Sequence, residues 1–332
     1  MSARPATTPA AHGSSGTTNR ARRAGPRQAA PGRPRPANVR PITTAPPRTR
    51  LIRDEHQLAR WTRAVRTPDA RLRGVLYRGL LGFEQEGASF SSWLEPPRPA
   101  YTLIVDFEGS ISLDGEPLPN AWIAGLSDRY AVVGFDARRY ASIDLELTPL
   151  GAWSVLGVPL GELEGRTVTL EDAFGAGARR LVDELHDAPD WDARFDVIER
   201  FLLTRGDSGP RPAPAINWAL QRLWQTDGRE RVEMLATEIG CSRRYLHRGF
   251  REQVGLGPKT VARLIRFGAV RRRIERAPAR WADVAYECGY ADQSHLNRDF
   301  RELAGTTPAD FVTRLLPGYG GVVGDGVPFV QD

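Results

Sequence analysis

Arg243, Arg244, His247, Arg248 and Arg251 recur at the spacing of one helix face, and Gln293, Ser294, His295, Asn297, Arg298 and Arg301 do so again further along the chain. Arginine, glutamine, asparagine and histidine carry the donors and acceptors that match base edges in a DNA major groove. Arginine also neutralises phosphate. The chemistry on offer is recognition by hydrogen bond and charge. Bond-making chemistry has no comparable signal: carboxylates are plentiful, but none forms a recognisable acid–base pair with Ser or His, and no catalytic residue is assigned.

The elements that must position these side chains form an internal repeat. Residues 235–258, LATEIGCSRRYLHRGFREQVGLGP, align with 284–308, VAYECGYADQSHLNRDFRELAGTTP. Ala236, Ile239 and Gly240 correspond to Ala285, Cys288 and Gly289; Leu246, Phe250, Arg251, Glu252, Gly255 and Pro258 correspond to Leu296, Phe300, Arg301, Glu302, Gly305 and Pro308. Each copy reads as helix, turn, helix. A small Ala lets two helices approach, a Gly ends the first, and Ser242 or Asp292 caps the second. Leu and Phe four residues apart turn one face inward and leave the opposite face to water or a ligand. One such helix alone would read as a solvated charged face. Two copies with matching cap, core and glycine positions favour DNA.

Charge is distributed accordingly. Residues 217–316 hold 18 basic and 12 acidic side chains, whereas 51–216 hold 18 basic and 26 acidic. A basic region beside an acidic one is expected where a single domain meets a polyanion. The two cysteines, Cys241 and Cys288, are too few for a disulfide framework or a cysteine-rich zinc site, and no metal or cofactor is expected. No apolar run reaches a membrane span and the N-terminus lacks a secretory core, so a cytoplasmic protein is the default.

Residues 1–50 contain ten Arg, no Asp or Glu and almost no large apolar side chains, which reads as a disordered tail. A folded domain is expected over 51–205. Strands are placed at 74–85, 101–115, 129–136 and 139–149, suggesting a small barrel or sandwich; helices follow at about 169–188, opened by Thr169, and at 191–205. Residues 206–215 read as a linker, 216–316 as an all-helical domain with Trp218, Leu223 and Trp224 in the core of a supporting helix, and 317–332 as a tail. The fold class is α+β: an N-terminal mixed β-barrel-like and helical domain, then an all-α domain of two helix-turn-helix units joined by a linker helix.

Residues 281–311 resemble the AraC/XylS family of bacterial transcription regulators. The resemblance is carried by Ala285/Gly289/Tyr290, Ser294/Leu296/Arg298/Phe300/Arg301 and Gly305/Thr307/Pro308/Phe311, and in the first unit by Leu235-Ala236, Ser242 and Leu246/Arg248/Phe250. Trp281 departs from the aliphatic residue usual there. The resemblance implies a linker helix over about Lys259 to Arg276 and two recognition helices in successive major-groove segments of one duplex. It implies base reading by Arg244, His247, Arg248, Gln293, Ser294, His295, Asn297 and Arg298, and phosphate contacts from Arg243, Arg251, Lys259 and Arg301. It further implies a sequence-specific regulator of promoter DNA, more often an activator, with RNA polymerase as a further partner. Residues 145–175 look like sensor domains on actinobacterial members, which implies a domain that binds a small effector, dimerises, or both. A DNA-repair methyltransferase would need a reactive cysteine ahead of residue 240, where there is none. Removing residues 1–45 is expected to leave a cooperative melting transition and DNA site choice unchanged, as scanning calorimetry and binding-site selection would register.

Overall fold

Alternating apolar and polar residues build a β-rich N-terminal region, and a computed structural model describes it together with the helices that follow, over residues 48–56, 59–87, 92–135, 139–276, 280–315 and 322–323. The disordered tail expected at the N-terminus lies outside these residues except for Arg48 to Arg50. Arg48 pairs with Asp196, and Thr49 donates to Asp192.

The larger sheet has seven strands: β1 (Arg50–His56), β2 (Ala59–Arg66), β3 (Leu80–Glu86), β5 (Tyr101–Glu108), β8 (Ala121–Ala124), β10 (Arg139–Leu147) and β11 (Thr167–Thr169). Their spatial order is β1-β2-β3-β10-β5-β8-β11, and the strands pair antiparallel. The smaller sheet contains β4 (Ser92–Glu95), β6 (Ile111–Leu113), β7 (Glu116–Pro117), β9 (Ala131–Phe135) and β12 (Val322–Val323), in the order β12-β4-β9-β6-β7. Neither order closes on itself, so the domain is two open sheets. Strands β1, β2, β4, β7, β8, β11 and β12 lie outside the expected runs: β1 and β2 mix arginine with apolar residues and lack clean alternation. The run from Gly74 forms a strand only from Leu80 onward.

Period-two alternation divides the larger sheet into two faces. Ile143, Leu145 and Leu147 of β10 are completely buried toward the helices. On the other face Trp61, Gln85 and Tyr140 lie in register across β2, β3 and β10. They adjoin an aromatic cluster that includes Phe83, Trp93, Ile104 and Trp122. Buried among these, Asp106 accepts a 2.6 Å hydrogen bond from the Tyr140 hydroxyl. Removal from water pushes the Asp106 carboxyl up to about 7 and that of Asp144 up to about 6.

Helices α1 (Pro149–Leu156), α2 (Leu170–Phe174), α3 (Ala176–Asp187) and α4 (Trp191–Ser208) cover the sheet. Thr169 caps as expected, accepting from the Asp172 amide, but Gly175 at φ 64° splits the expected single helix into α2 and α3. Gly82 allows the Trp191 ring to lie on the sheet: a β-carbon there would stand 2.2 Å from the ring. The buried Arg66 guanidinium ties β2 to α4 through Glu199 at 2.7 Å. Because α4 runs to Ser208, held by Arg205 donating to Val155 O, the extended connection is shorter than the expected linker: 209–213.

The remaining helices are α5 (Pro214–Gln225), α6 (Val232–Ile239), α7 (Arg243–Gln253), α8 (Pro258–Arg276), α9 (Trp281–Glu287), α10 (Gln293–Ala304) and α11 (Pro308–Arg314). Leu223 is core, as expected, but Trp218 is exposed because it lies opposite Ala219, Leu220 and Leu223 on α5. Trp224 is partly buried and meets the Tyr77 ring at 5.7 Å. One hydrophobic cluster runs from the sheet through both sets of helices, from Leu103 to Phe311. Among the described residues no helix is long and apolar enough to cross a membrane.

The folded state holds the Asp106 proton up to about pH 7, whereas an unfolded chain releases it near about 4. This carboxyl therefore makes folding less favourable as pH climbs between those values, with a span on the order of a few kcal/mol. Asp106→Asn is expected to flatten the fall in melting temperature between pH 5 and 8; parallel profiles for the two proteins would contradict it.

Candidate nucleic-acid interface

The second helices of the two repeat units, α7 and α10, are built alike. Ser242 caps α7 by accepting from the Tyr245 amide, and Asp292 caps α10 by accepting from the His295 amide. Such caps each stabilise a helix by about 1 kcal/mol. Gly240 and Gly289 take positive φ at the turns, 74° and 77°. Leu246, Phe250, Leu296 and Phe300 are completely buried, each contributing about 1.5–3 kcal/mol. With the Leu–Phe stripe inside, the outward line reads Arg244, Arg248, Arg251 on α7 and Ser294, Arg298, Arg301 on α10; all six are exposed.

The other expected residues separate into groups. Arg243, His247, Gln293 and Lys259 are exposed, while His295 and Asn297 are half-buried. His247 stands over Gly257, just before α8. The His295 ring packs edge-on to Tyr290, with centroids 5.1 Å apart. Two of the expected phosphate ligands have protein partners: Arg243 pairs with Glu233 at 3.4 Å and Arg251 with Glu164 at 2.5 Å. Among the described residues Arg244, Arg248, Arg298, Arg301 and Lys259 have no ion-pair partner, although the Arg248 guanidinium lies 6.0 Å from the Tyr245 ring centre.

Tyr245 is exposed and was missed by the sequence reading. The signal was present, since the repeat places Tyr245 at the position of His295. Cys288 is buried, and desolvation raises its thiol above the ordinary value, with Glu287 and Asp227 adding to the effect. That suits a packing residue better than a reactive one.

The two units are braced differently. In the first, Gly249 admits Ile216 of α5; a β-carbon there would stand 2.4 Å from the Ile216 Cδ1. The equivalent residue in the second is Asp299, which is buried and accepts from the Arg263 Nε of α8 at 3.0 Å. Arg263 also pairs with Glu302. At this one position, apolar contact braces α7 and an ion pair braces α10. Arg263→Ala would leave Asp299 buried without this partner, a loss of about 1–3 kcal/mol measurable by urea unfolding. Arg263→Lys should recover part of that loss.

Residues 235–314 match the model of a helix-turn-helix domain family. Over 78 residues the chain is 31% identical to the HTH-type transcriptional activator RhaS of Escherichia coli, a match covering 24% of this chain and 28% of RhaS. The match thus spans little more than a quarter of the length of those curated relatives. Among solved structures, ToxT from Vibrio cholerae is similar at a TM-score of 0.45 and 10% identity, over 70% of this chain and 97% of that one. The C-terminal domain of AraT, a response regulator from Geobacillus stearothermophilus, is similar at a TM-score of 0.30 and 20% identity, over 33% and 93%.

Proposed function

We propose that this chain, a member of the AraC/XylS family through its C-terminal helix-turn-helix domain, is a sequence-specific transcription regulator that inserts α7 and α10 into successive major-groove segments of promoter DNA. The observation that carries this reading is the pair of equivalent exposed arginines, Arg248 and Arg298, each without an acidic partner among the described residues. Both project from capped helices whose opposite faces are fixed in the core. A cation left uncommitted by the protein gains most from a polyanion, and an arginine on a recognition helix can bind the guanine edge bidentately.

Arg244, Arg248, Gln293, Ser294 and Arg298 are the base readers, with His247, His295 and Asn297 flanking them. Arg301 and Lys259 take phosphate, joined by Arg243 and Arg251 when these leave Glu233 and Glu164. Successive major-groove segments on one face of a duplex lie about 34 Å apart, so the differing side chains of α7 and α10 would read an asymmetric site. Activation is the assigned direction of regulation, by analogy with RhaS.

The N-terminal domain is proposed to sense a small effector. An open cleft of about 700 Å³ at the strand ends, lined by Trp61, Gln85, Phe107, Arg139, Tyr140 and Arg194 among others, supports this role. The second reading, a domain that dimerises or binds a protein, draws on the outer edge of β1, which has no strand partner among the described residues. Thermal-shift measurements of the full chain against metabolites, alongside sedimentation, separate the two.

Recovering genomic fragments bound by the intact protein should return one enriched asymmetric motif; no enrichment would overturn the reading. Arg298→Ala is expected to weaken binding to that motif by about 1–3 kcal/mol and to relax selectivity at one base pair. Equal weakening on random duplexes would contradict base reading. Lys259→Ala should lower affinity for all duplexes and reduce the salt slope by about one unit.

A further inference from the structure

The N-terminal domain touches both recognition elements, and it does so at the same place in the repeat. Gly255 lies just past the end of α7 and Gly305 caps α10; both adopt the left-handed conformation, with φ of 98° and 66°. Each glycine is faced by a tyrosine of the N-terminal domain. A β-carbon on Gly255 would stand 2.1 Å from the Tyr101 hydroxyl, and one on Gly305 would stand 2.8 Å from the Tyr130 Cζ. Tyr101 begins β5, is completely buried and donates to Val254 O at 3.1 Å. Tyr130 sits between β8 and β9 and is 38% exposed.

We infer that Tyr101 and Tyr130 are positioning residues for DNA recognition, through which the N-terminal domain fixes the spacing and tilt of α7 and α10 from two equivalent glycines. The inference rests on the reading that both helices enter DNA.

Helix α8 alone would join the two units along one axis, leaving rotation and bending as soft motions. A second connection through the sheets closes a ring around that axis and removes this freedom. Tyr101 and Tyr130 are the contacts where the second connection reaches each unit. Near the first, Glu164 pairs with Arg251, and Gly161 brings the backbone against Arg251 O, where a β-carbon would stand only 2.8 Å away. Near the second, β12 returns from beyond α11 to pair with β4. Glycine is required at both places twice over, for its positive φ and because any larger side chain would push the tyrosine away.

The test uses the full chain and the duplex that it enriches from a randomised library, with derivatives carrying one base pair inserted or deleted between the two contacted segments. Tyr101→Phe keeps the ring that fills the core and removes only the donor to Val254 O. Tyr130→Ala removes a partly exposed ring. Wild type is expected to lose about tenfold or more in affinity when the spacing changes, and each variant about threefold or less, because loosened helices adapt to either register. Variant affinity for the parent duplex should fall as well. Hydrogen exchange on the free proteins supplies a readout that needs no DNA: amides at 254–256 should exchange faster in Tyr101→Phe, and those at 305–306 in Tyr130→Ala. An unchanged spacing penalty in both variants would overturn the inference while the functional reading stands. A wild-type chain that fails to distinguish its enriched duplex from a scrambled one would overturn both.

Discussion

Burial of Leu246 with Phe250, and of Leu296 with Phe300, decides which way the arginines can point. On a helix these pairs occupy one stripe, and once that stripe is committed to the core the opposite stripe has only water or a partner to meet. The arginines at 248 and 298 are held outward by what lies behind them, with no contact of their own required. The caps at Ser242 and Asp292 fix where each helix begins, and so which turn of it leads. Core and cap together convert a sequence pattern into an oriented set of donors.

The same core makes the β-rich region and the helices of the two repeat units mechanically continuous. Leu103 of the larger sheet and Phe311 at the far end of the chain belong to one apolar cluster. The aromatic cluster between the sheets is separate and holds the protonatable Asp106. Asp106, between the sheets, and Tyr101, which donates to Val254 O at the end of α7, lie on one strand, β5. The buried Arg66–Glu199 pair adds rigidity of another kind. Its charges are costly to separate within the fold, which ties β2 to α4.

Much of the helical region was legible in the sequence because its signals are local. Capping residues, positive-φ glycines and the Leu–Phe spacing each act within a few residues, and the repeat states them twice. Helices α7 and α10 begin at the caps which that reasoning names, and α8 covers the linker helix that the family resemblance implies. The β-rich half was less legible since pairing is decided by distant partners. Arginine-bearing β1 and β2 acquire their identity only from lying beside β3 and α4. Trp218 was assigned to the core on size and spacing, yet the core side of α5 is filled by Ala219, Leu220 and Leu223. The half-burial of His295 depends on Tyr290 across the turn, and Arg263 matters because Asp299 occupies the position held by glycine in the first copy. These are tertiary facts, invisible to periodicity.

Strand β12 has a consequence for how the molecule is made. It pairs with β4 in the smaller sheet, although more than two hundred residues separate them in the chain. During synthesis the smaller sheet must therefore present a bare β4 edge until α11 has emerged and the chain doubles back. An exposed edge of this kind is open to pairing with a neighbouring chain. The interval between translating β4 and translating β12 is thus when nascent chains are most vulnerable to one another, and β12 acts as the closing seam of the smaller sheet.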